Sequence, residues 1–357
     1  MRNLTVVVGG QFGSEGKGKV VAHLCRNYRF DACVRVGGPN SGHTVTLNGR
    51  RTVLRQVPAG VVNPHTQLFI ASGCLVDPEI LQREIKMLGL SPDRLKIDRN
   101  ASLLDRSDAE FERRIGLEGR IGSTATGVGS AVIKRILRKD SSIILEKRID
   151  DYPFLIPYLA DVSKEINRLC DAGKSTVIEG TQGFGLSLYH SSYYPFVTSR
   201  DVTASGFLSE VGVSPLLVTD IILVIRTFPI RVGGNSGDLP NEIDWETVRK
   251  ESGYPHEIKE LTSVTGRVRR VARLDIGLVK KAVQINRPTF IALMGVDYLD
   301  FKNRGVRSLE SLSSRTHDFI TSLERETGIL VSLIGTGPSD FEIIDLNGRS
   351  RKGGKEV

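Results

Sequence analysis

Long apolar runs are missing from this chain of 357 residues. No stretch approaches the roughly 20 consecutive hydrophobic residues of a membrane-spanning helix, so no membrane partner is expected. A signal peptide has no room either, because Met1-Arg2-Asn3 leads straight into an apolar strand, and a cytoplasmic protein is expected. Cysteine is scarce: Cys25, Cys33, Cys74 and Cys170 show no C-x-x-C spacing and sit in or beside apolar segments, which predicts buried thiols rather than a metal site or disulfides. Acidic residues are the minority charge, 41 against 49 lysines and arginines, for a net charge of +8. The basic residues cluster beside glycines and threonines, which suits small anionic ligands and not nucleic acid. The one plain basic run, Arg349-Ser350-Arg351-Lys352-Gly353-Gly354-Lys355, reads as a solvated, flexible tail over 347–357 with no assigned function. Internal repeats and low-complexity linkers are also absent, so 1–357 is expected to form one large α/β unit.

What the chain does have is glycine in loops that follow apolar strands. Val6-Val7-Val8 is an uncharged β-branched run, and Val20, Val21, Leu24 and Cys25 fall on one face of a helix. Between them lies Gly9-Gly10-Gln11-Phe12-Gly13-Ser14-Glu15-Gly16-Lys17-Gly18-Lys19. Glycines let backbone N–H groups approach an anion, the helix N-terminus adds positive potential, and Lys17 and Lys19 add charge, which together predict a phosphate cradle. It is not a Walker A loop, because Gln11 stands where the first glycine belongs and Gly18, not Ser or Thr, follows Gly16-Lys17. A tight strand-to-helix turn that binds nothing is the alternative.

Downstream, strands alternate with helices, which argues for a mostly parallel sheet with ligands along the strand ends. Strands are predicted over 32–36, 68–71, 176–179, 221–228, 289–296 and 329–334, and helices over 77–88, 156–171, 275–285 and 316–326. Asn48-Gly49, between apolar segments at 45–47 and 52–54, predicts a hairpin. Polar loops punctuate the pattern. His43 sits in one beside Asn40, Ser41 and Thr44, where a plain loop histidine is the competing reading. The segment 262–270, with Arg267, Arg269 and Arg270, presents guanidinium groups suited to bidentate capture of carboxylate or phosphate, against the bland alternative of surface salt bridges.

Taken together, GGQFGSEGKGK at 9–19, NSGHT at 40–44, EGTQG at 179–183, YPFVTS at 194–199, TGRVRR at 265–270 and GTGP at 335–338 resemble the adenylosuccinate synthetase family, and the length resembles its compact form. The resemblance implies a P-loop-NTPase-like α/β fold, a mostly parallel central sheet flanked by helices with hairpin and loop insertions. It also implies Mg²⁺ and a ligase reaction in which a γ-phosphoryl group activates the purine 6-oxo oxygen before the amine of L-aspartate displaces it. On this basis Gly13, Ser14, Glu15, Gly16, Lys17, Gly18 and Lys19, with Gly42, His43 and Thr44, hold the nucleotide phosphates. Lys17 grips the transferring group, His43 donates to the developing charge, and Ser14 and the Gly42 carbonyl face the metal. Asn40, Thr124, Gln182, Thr198 and Arg267, with Ser14, surround the purine nucleotide. Arg138 reaches its 5′-phosphate from the other subunit of a homodimer. Ser263, Val264, Thr265, Gly266, Arg267 and Arg269 form the loop that closes on L-aspartate, and Asp297, flanked by Thr336 and Gly337, reads the donor base.

Ser14 departs from the family pattern, which has an aspartate there that removes the purine N1 proton and binds Mg²⁺. A neutral serine is a poor base and a weak metal ligand, and it leaves room beside C2, where guanine but not hypoxanthine carries an amino group. The substitution resembles the phage branch of the family, the 2-aminoadenylosuccinate synthetases, which use dGMP and feed diaminopurine DNA synthesis in the host cytoplasm. The product would be N6-succino-2-amino-2′-deoxyadenylate. Two other readings stand beside it: a conventional enzyme taking IMP, L-aspartate and GTP, and a nucleotide-binding protein without catalysis. Glu15, a water held by Ser14, or the phosphate itself is left to take the N1 proton. That branch is associated with ATP or dATP, whereas Asp297 favours GTP. Val268 and Gly295 also replace residues that are often arginine and lysine in the bacterial form.

Overall fold

The computed structural model describes residues 4–138, 140–262 and 266–346. Ser263, Val264 and Thr265 and the basic tail therefore lie outside the described residues. The centre of the molecule is β1 (Leu4–Gly9), whose Leu4, Val6, Val7 and Val8 expose no surface. A strand covered on both faces has no use for alternation, which is why it reads as a continuous apolar run. It leads through the glycine loop into α1 (Lys17–Tyr28), then β2 (Ala32–Arg35) and a hairpin of β3 (His43–Leu47) and β4 (Arg50–Leu54). Asn48 and Gly49 both take positive φ, as the tight turn requires.

The main sheet has ten strands, in the order Ile343–Asp345, Val331–Gly335, Phe290–Met294, Val218–Arg226, β1, Thr176–Glu179, β2, Gln67–Ile70, Leu95–Asp98 and Leu159–Ala160. Every neighbouring pair is parallel except the edge pair of Val331–Gly335 with Ile343–Asp345. Because Thr176–Glu179 is inserted between β1 and β2, the chain leaves the end of β1 and returns two places away, which opens a crevice at the carboxyl ends of the strands.

The predicted helix over 156–171 is a correction. It starts six residues later than expected: Pro153–Tyr158, which contains Pro157, is a 3₁₀ turn, Leu159–Ala160 pairs at the sheet edge, and the helix is only Val162–Asp171, capped by the Asp161 side chain accepting from the Lys164 N–H. A small antiparallel sheet of Ile230–Arg231, Arg270–Ala272 and Glu242–Ile243 was not foreseen; around it Phe228, Val248, Tyr254 and Leu299 build a second core. The four cysteines are buried and free. Among the described residues no helix is long and apolar enough to cross a membrane.

Candidate active site

The charged residues that end the buried strands all emerge on one side of the sheet. Arg35 closes β2, Glu179 closes Thr176–Glu179 and Arg226 closes Val218–Arg226, each less than a tenth exposed. The glycine loop leaves β1 among them, with Gly13, Ser14 and Gly16 at positive φ.

Within the loop the anion is the chain's own. Glu15 Oε1 accepts from the Gln11 and Gly13 N–H groups at 3.1 and 2.9 Å, and Oε2 pairs with Lys17 Nζ at 2.6 Å. Lys17 also donates to the Gln182 carbonyl. Glu15 has both oxygens engaged and no exposed side-chain surface. Lys19 does not present a free charge to the loop. Its Nζ donates to the carbonyls of Gly337 and Glu342 at 2.6 and 3.0 Å, tying α1 to the 335–338 loop, and burial brings its pKa down to about 8.

His43, at the start of β3, is buried against that loop so closely that a Cβ on Gly18 would stand 2.8 Å from the His43 Cβ. Its Nδ1 hydrogen-bonds Glu179, whose other oxygen accepts from the Ala59 N–H at 2.8 Å. A carboxylate against Nδ1 keeps the proton on that nitrogen and leaves Nε2 as the acceptor of a neutral ring. Burial, and then the Arg35 guanidinium, push the His43 pKa down to about 4. The Glu179 carboxyl, although burial works to raise it, is held below its ordinary value by His43 and Arg35. As a neutral ring His43 therefore has no Nε2 proton to give.

Ser14 is met by Arg269, which donates to its hydroxyl. Arg226 donates to the Ser14 carbonyl at 3.3 Å and forms a bidentate pair with Glu260, which also accepts from the Tyr298 hydroxyl at 3.0 Å. The structure thus brings Ser14, Lys17, Gln182, His43 and Arg269 around one loop. Thr124 hydrogen-bonds Thr126 at 3.2 Å, Asn40 is half-buried in the loop before β3, and the Thr198 N–H donates to the Leu186 carbonyl. Two expected residues stay apart within this chain. Arg138, just after the helix Val128–Leu137, is exposed and its Nε donates to the nearby Ile136 carbonyl, while Arg267 pairs with Glu118. Asp297 is also engaged: its Oδ2 accepts from the Tyr254 hydroxyl at 2.6 Å and from Arg304 at 2.8 Å. Beside it the Thr336 hydroxyl donates to the Val306 carbonyl at 3.0 Å.

Glu179, Arg35, Glu118, Arg226, Glu260 and Arg304 had no assigned role in the sequence. The available signal was a charge closing an apolar strand in Cys33-Val34-Arg35, Val177-Ile178-Glu179 and Val224-Ile225-Arg226. Such a charge ends at the ligand face of a parallel sheet.

The family model for adenylosuccinate synthetase matches residues 6–145 and 140–303. The chain belongs to the adenylosuccinate synthetase family. It is 39% identical over 345 residues to the adenylosuccinate synthetase of Thermococcus sibiricus, covering 96% of this chain and 98% of the relative. It is also 39% identical over 346 residues to that of Methanocaldococcus jannaschii, covering 96% of each. The solved structure of the fully ligated Plasmodium falciparum adenylosuccinate synthetase superposes with a TM-score of 0.85 at 20% identity, covering 96% of this chain and 99% of that one. The cyanophage S-2L succinoaminodeoxyadenylate synthetase, bound to dGMP and dATP as an energy donor, superposes with a TM-score of 0.81 at 25% identity, covering 97% and 96%. The chain therefore has the adenylosuccinate synthetase fold and is a nucleotide-binding carbon–nitrogen ligase of purine biosynthesis.

Proposed function

We propose that this adenylosuccinate synthetase family member joins L-aspartate to C6 of dGMP at the expense of ATP or dATP. The γ-phosphoryl group passes to O6 as the nucleoside diphosphate leaves, and N1 gives up its proton to Glu15, released when Lys17 turns to the phosphoryl group, to a water held by Ser14, or to the phosphate itself. The aspartate amine then attacks C6 and loses a proton, and phosphate departs, leaving N6-succino-2-amino-2′-deoxyadenylate. The observation that carries this reading is the neutral Ser14 hydroxyl facing Arg269. One lone pair of the serine is taken by the guanidinium and the other is free to accept from a 2-amino group, where a carboxylate would be drawn into an ion pair instead. The dGMP and dATP of the cyanophage structure support the same substrate pair. The engagement of Asp297 by Tyr254 and Arg304 supports ATP or dATP over GTP, because a guanine needs carboxylate oxygens for its N1–H and amino group.

Lys17 exchanges Glu15 for the transferring phosphoryl group. His43, oriented by Glu179, takes up a proton as the phosphate arrives and returns it as a hydrogen bond to the developing charge. Among the described residues no group of three or more His, Cys, Asp or Glu side chains could hold a metal. Mg²⁺ needs few protein ligands when phosphates supply oxygens, and the Gly42 carbonyl would be the protein contribution, since both lone pairs of the Ser14 hydroxyl are committed to Arg269 and the 2-amino group. When bound, the ion supplies charge neutralisation on the phosphates. A homodimer is part of the reading: Ile133, Ile136 and Leu137 are 46%, 67% and 52% exposed on the helix that ends at Arg138, an apolar face that a second copy would cover while receiving that arginine.

The test is steady-state turnover with L-aspartate and Mg²⁺ and each pairing of dGMP, GMP or IMP with ATP, dATP or GTP, following phosphate and the succino product. Turnover with dGMP and not IMP is expected. The 39% identity to archaeal adenylosuccinate synthetases favours a second reading, the conventional reaction of IMP, L-aspartate and GTP, and preference for IMP would establish it. Silence with every pair would leave a nucleotide-binding protein.

A further inference from the structure

Arg267, expected to receive the amino-acid substrate, is already holding a carboxylate, that of Glu118. Glu118 lies on Leu117–Ile121, a short helix with no buried residue and with Gly116 and Gly122 at its two caps, both at positive φ. Its own side chains therefore contribute no core packing. Polar ties to the neighbouring loops hold it instead. The Asn235 Nδ2 donates to the carbonyls of Gly119 and Arg120 at 3.0 and 3.1 Å, and a Cβ on Gly122 would stand 2.9 Å from the Ser236 Cα. The short helix thus bridges the 233–237 loop and the 266–270 segment just before Thr124. The Arg267 and Glu118 side chains are 42% and 49% exposed, so the pair is accessible and exchangeable.

We infer that Glu118 is an internal competitor for Arg267: its carboxylate occupies the guanidinium until a carboxylate of the amino-acid substrate displaces it. The inference rests on the reading of Arg267 as a receiver of the L-aspartate carboxylate. The chemistry is an exchange of like for like, one carboxylate on a planar guanidinium for another, so the preformed pair lowers the apparent affinity for the substrate carboxylate. Displacement also releases the short helix from Arg267, and with it one of the ties across the three loops.

The experiment compares the wild-type enzyme with Glu118→Gln and Glu118→Ala at saturating nucleotides. Both variants are expected to lower the KM for L-aspartate twofold to fivefold, the range of a half-exposed ion pair, with nucleotide KM values unchanged within twofold. Calorimetric titration with succinate, an unreactive dicarboxylate, should tighten by the same factor. An aspartate KM and a succinate affinity that stay the same or weaken in both variants overturn the inference. If the wild type turns over no nucleotide pair, the proposed reaction fails, and the succinate titration still decides whether Glu118 competes for Arg267.

Discussion

The carboxylate of Glu179 lies against Nδ1 of His43, at the point where a buried strand and the start of the hairpin meet. Both residues are buried; burial and Arg35 keep the His43 ring neutral, and the Glu179 carboxylate fixes its proton on Nδ1. Glu179→Gln is expected to lower kcat by about 10²- to 10⁴-fold, the usual worth of an acid–base group, with nucleotide KM values nearly unchanged. The amide also allows the ring to flip, so the pH profile of kcat should shift. A variant with wild-type kcat and pH profile would reduce the contact to packing.

His43→Asn should lose most turnover while still binding nucleotide, as read by a fluorescent ATP analogue. Full activity would remove His43 from the chemistry. The same variant tests stability. The ring titrates near 4 in the fold and near its ordinary 6.5 when unfolded, so between these values the unfolded chain binds more protons. The fold therefore loses stability as pH falls from about 6.5 towards 4, and that contribution is fully present only above 6.5. Thermal denaturation across this window should slope less steeply with pH in His43→Asn than in the wild type.

Ser14→Asp places a second charge opposite Arg269 and fills the space beside the purine C2. The kcat/KM for dGMP is expected to fall at least tenfold, which corresponds to about 1.4 kcal/mol, with IMP gaining relative to it. Equal use of dGMP by the variant and the wild type would count against the serine as the feature that selects the purine.

Arg304→Ala combined with Tyr254→Phe frees the Asp297 Oδ2 from both its donors. The ratio of GTP to ATP in kcat/KM should rise about tenfold, since the carboxylate becomes available to a guanine N1–H and amino group. An unchanged ratio would place donor selection elsewhere in the 335–338 loop.

Gly18→Ala would set a methyl group 2.8 Å from the His43 Cβ, where only movement of the hairpin relieves it. Loss of kcat with little change in nucleotide affinity is expected, and an unaffected kcat would show that His43 need not sit so close.

By itself the sequence determined the scaffold. The uncharged runs of β1 and Phe290–Met294 have no solvated face to alternate against, Asn48-Gly49 can only turn tightly, and the glycine loop between Val8 and Val20 cannot be helix or strand. The predicted strands and most helices stand within a few residues of their positions, and the glycine loop and the arginine-rich segment were recognisable from local chemistry and spacing, whereas Ser14 and the role of His43 stood out only through the family resemblance. The start of the 156–171 helix was misplaced because apolar spacing outweighed the cap signal of Asp161. What only the tertiary structure decided is which charges meet. Glu179 and His43 are 136 residues apart, and Ser14 and Arg269 are 255 apart. No local periodicity encodes such pairings; they exist because the hairpin and the segment before Arg270–Ala272 pack against the carboxyl ends of the parallel strands, and burial there makes each charge answer to its neighbour.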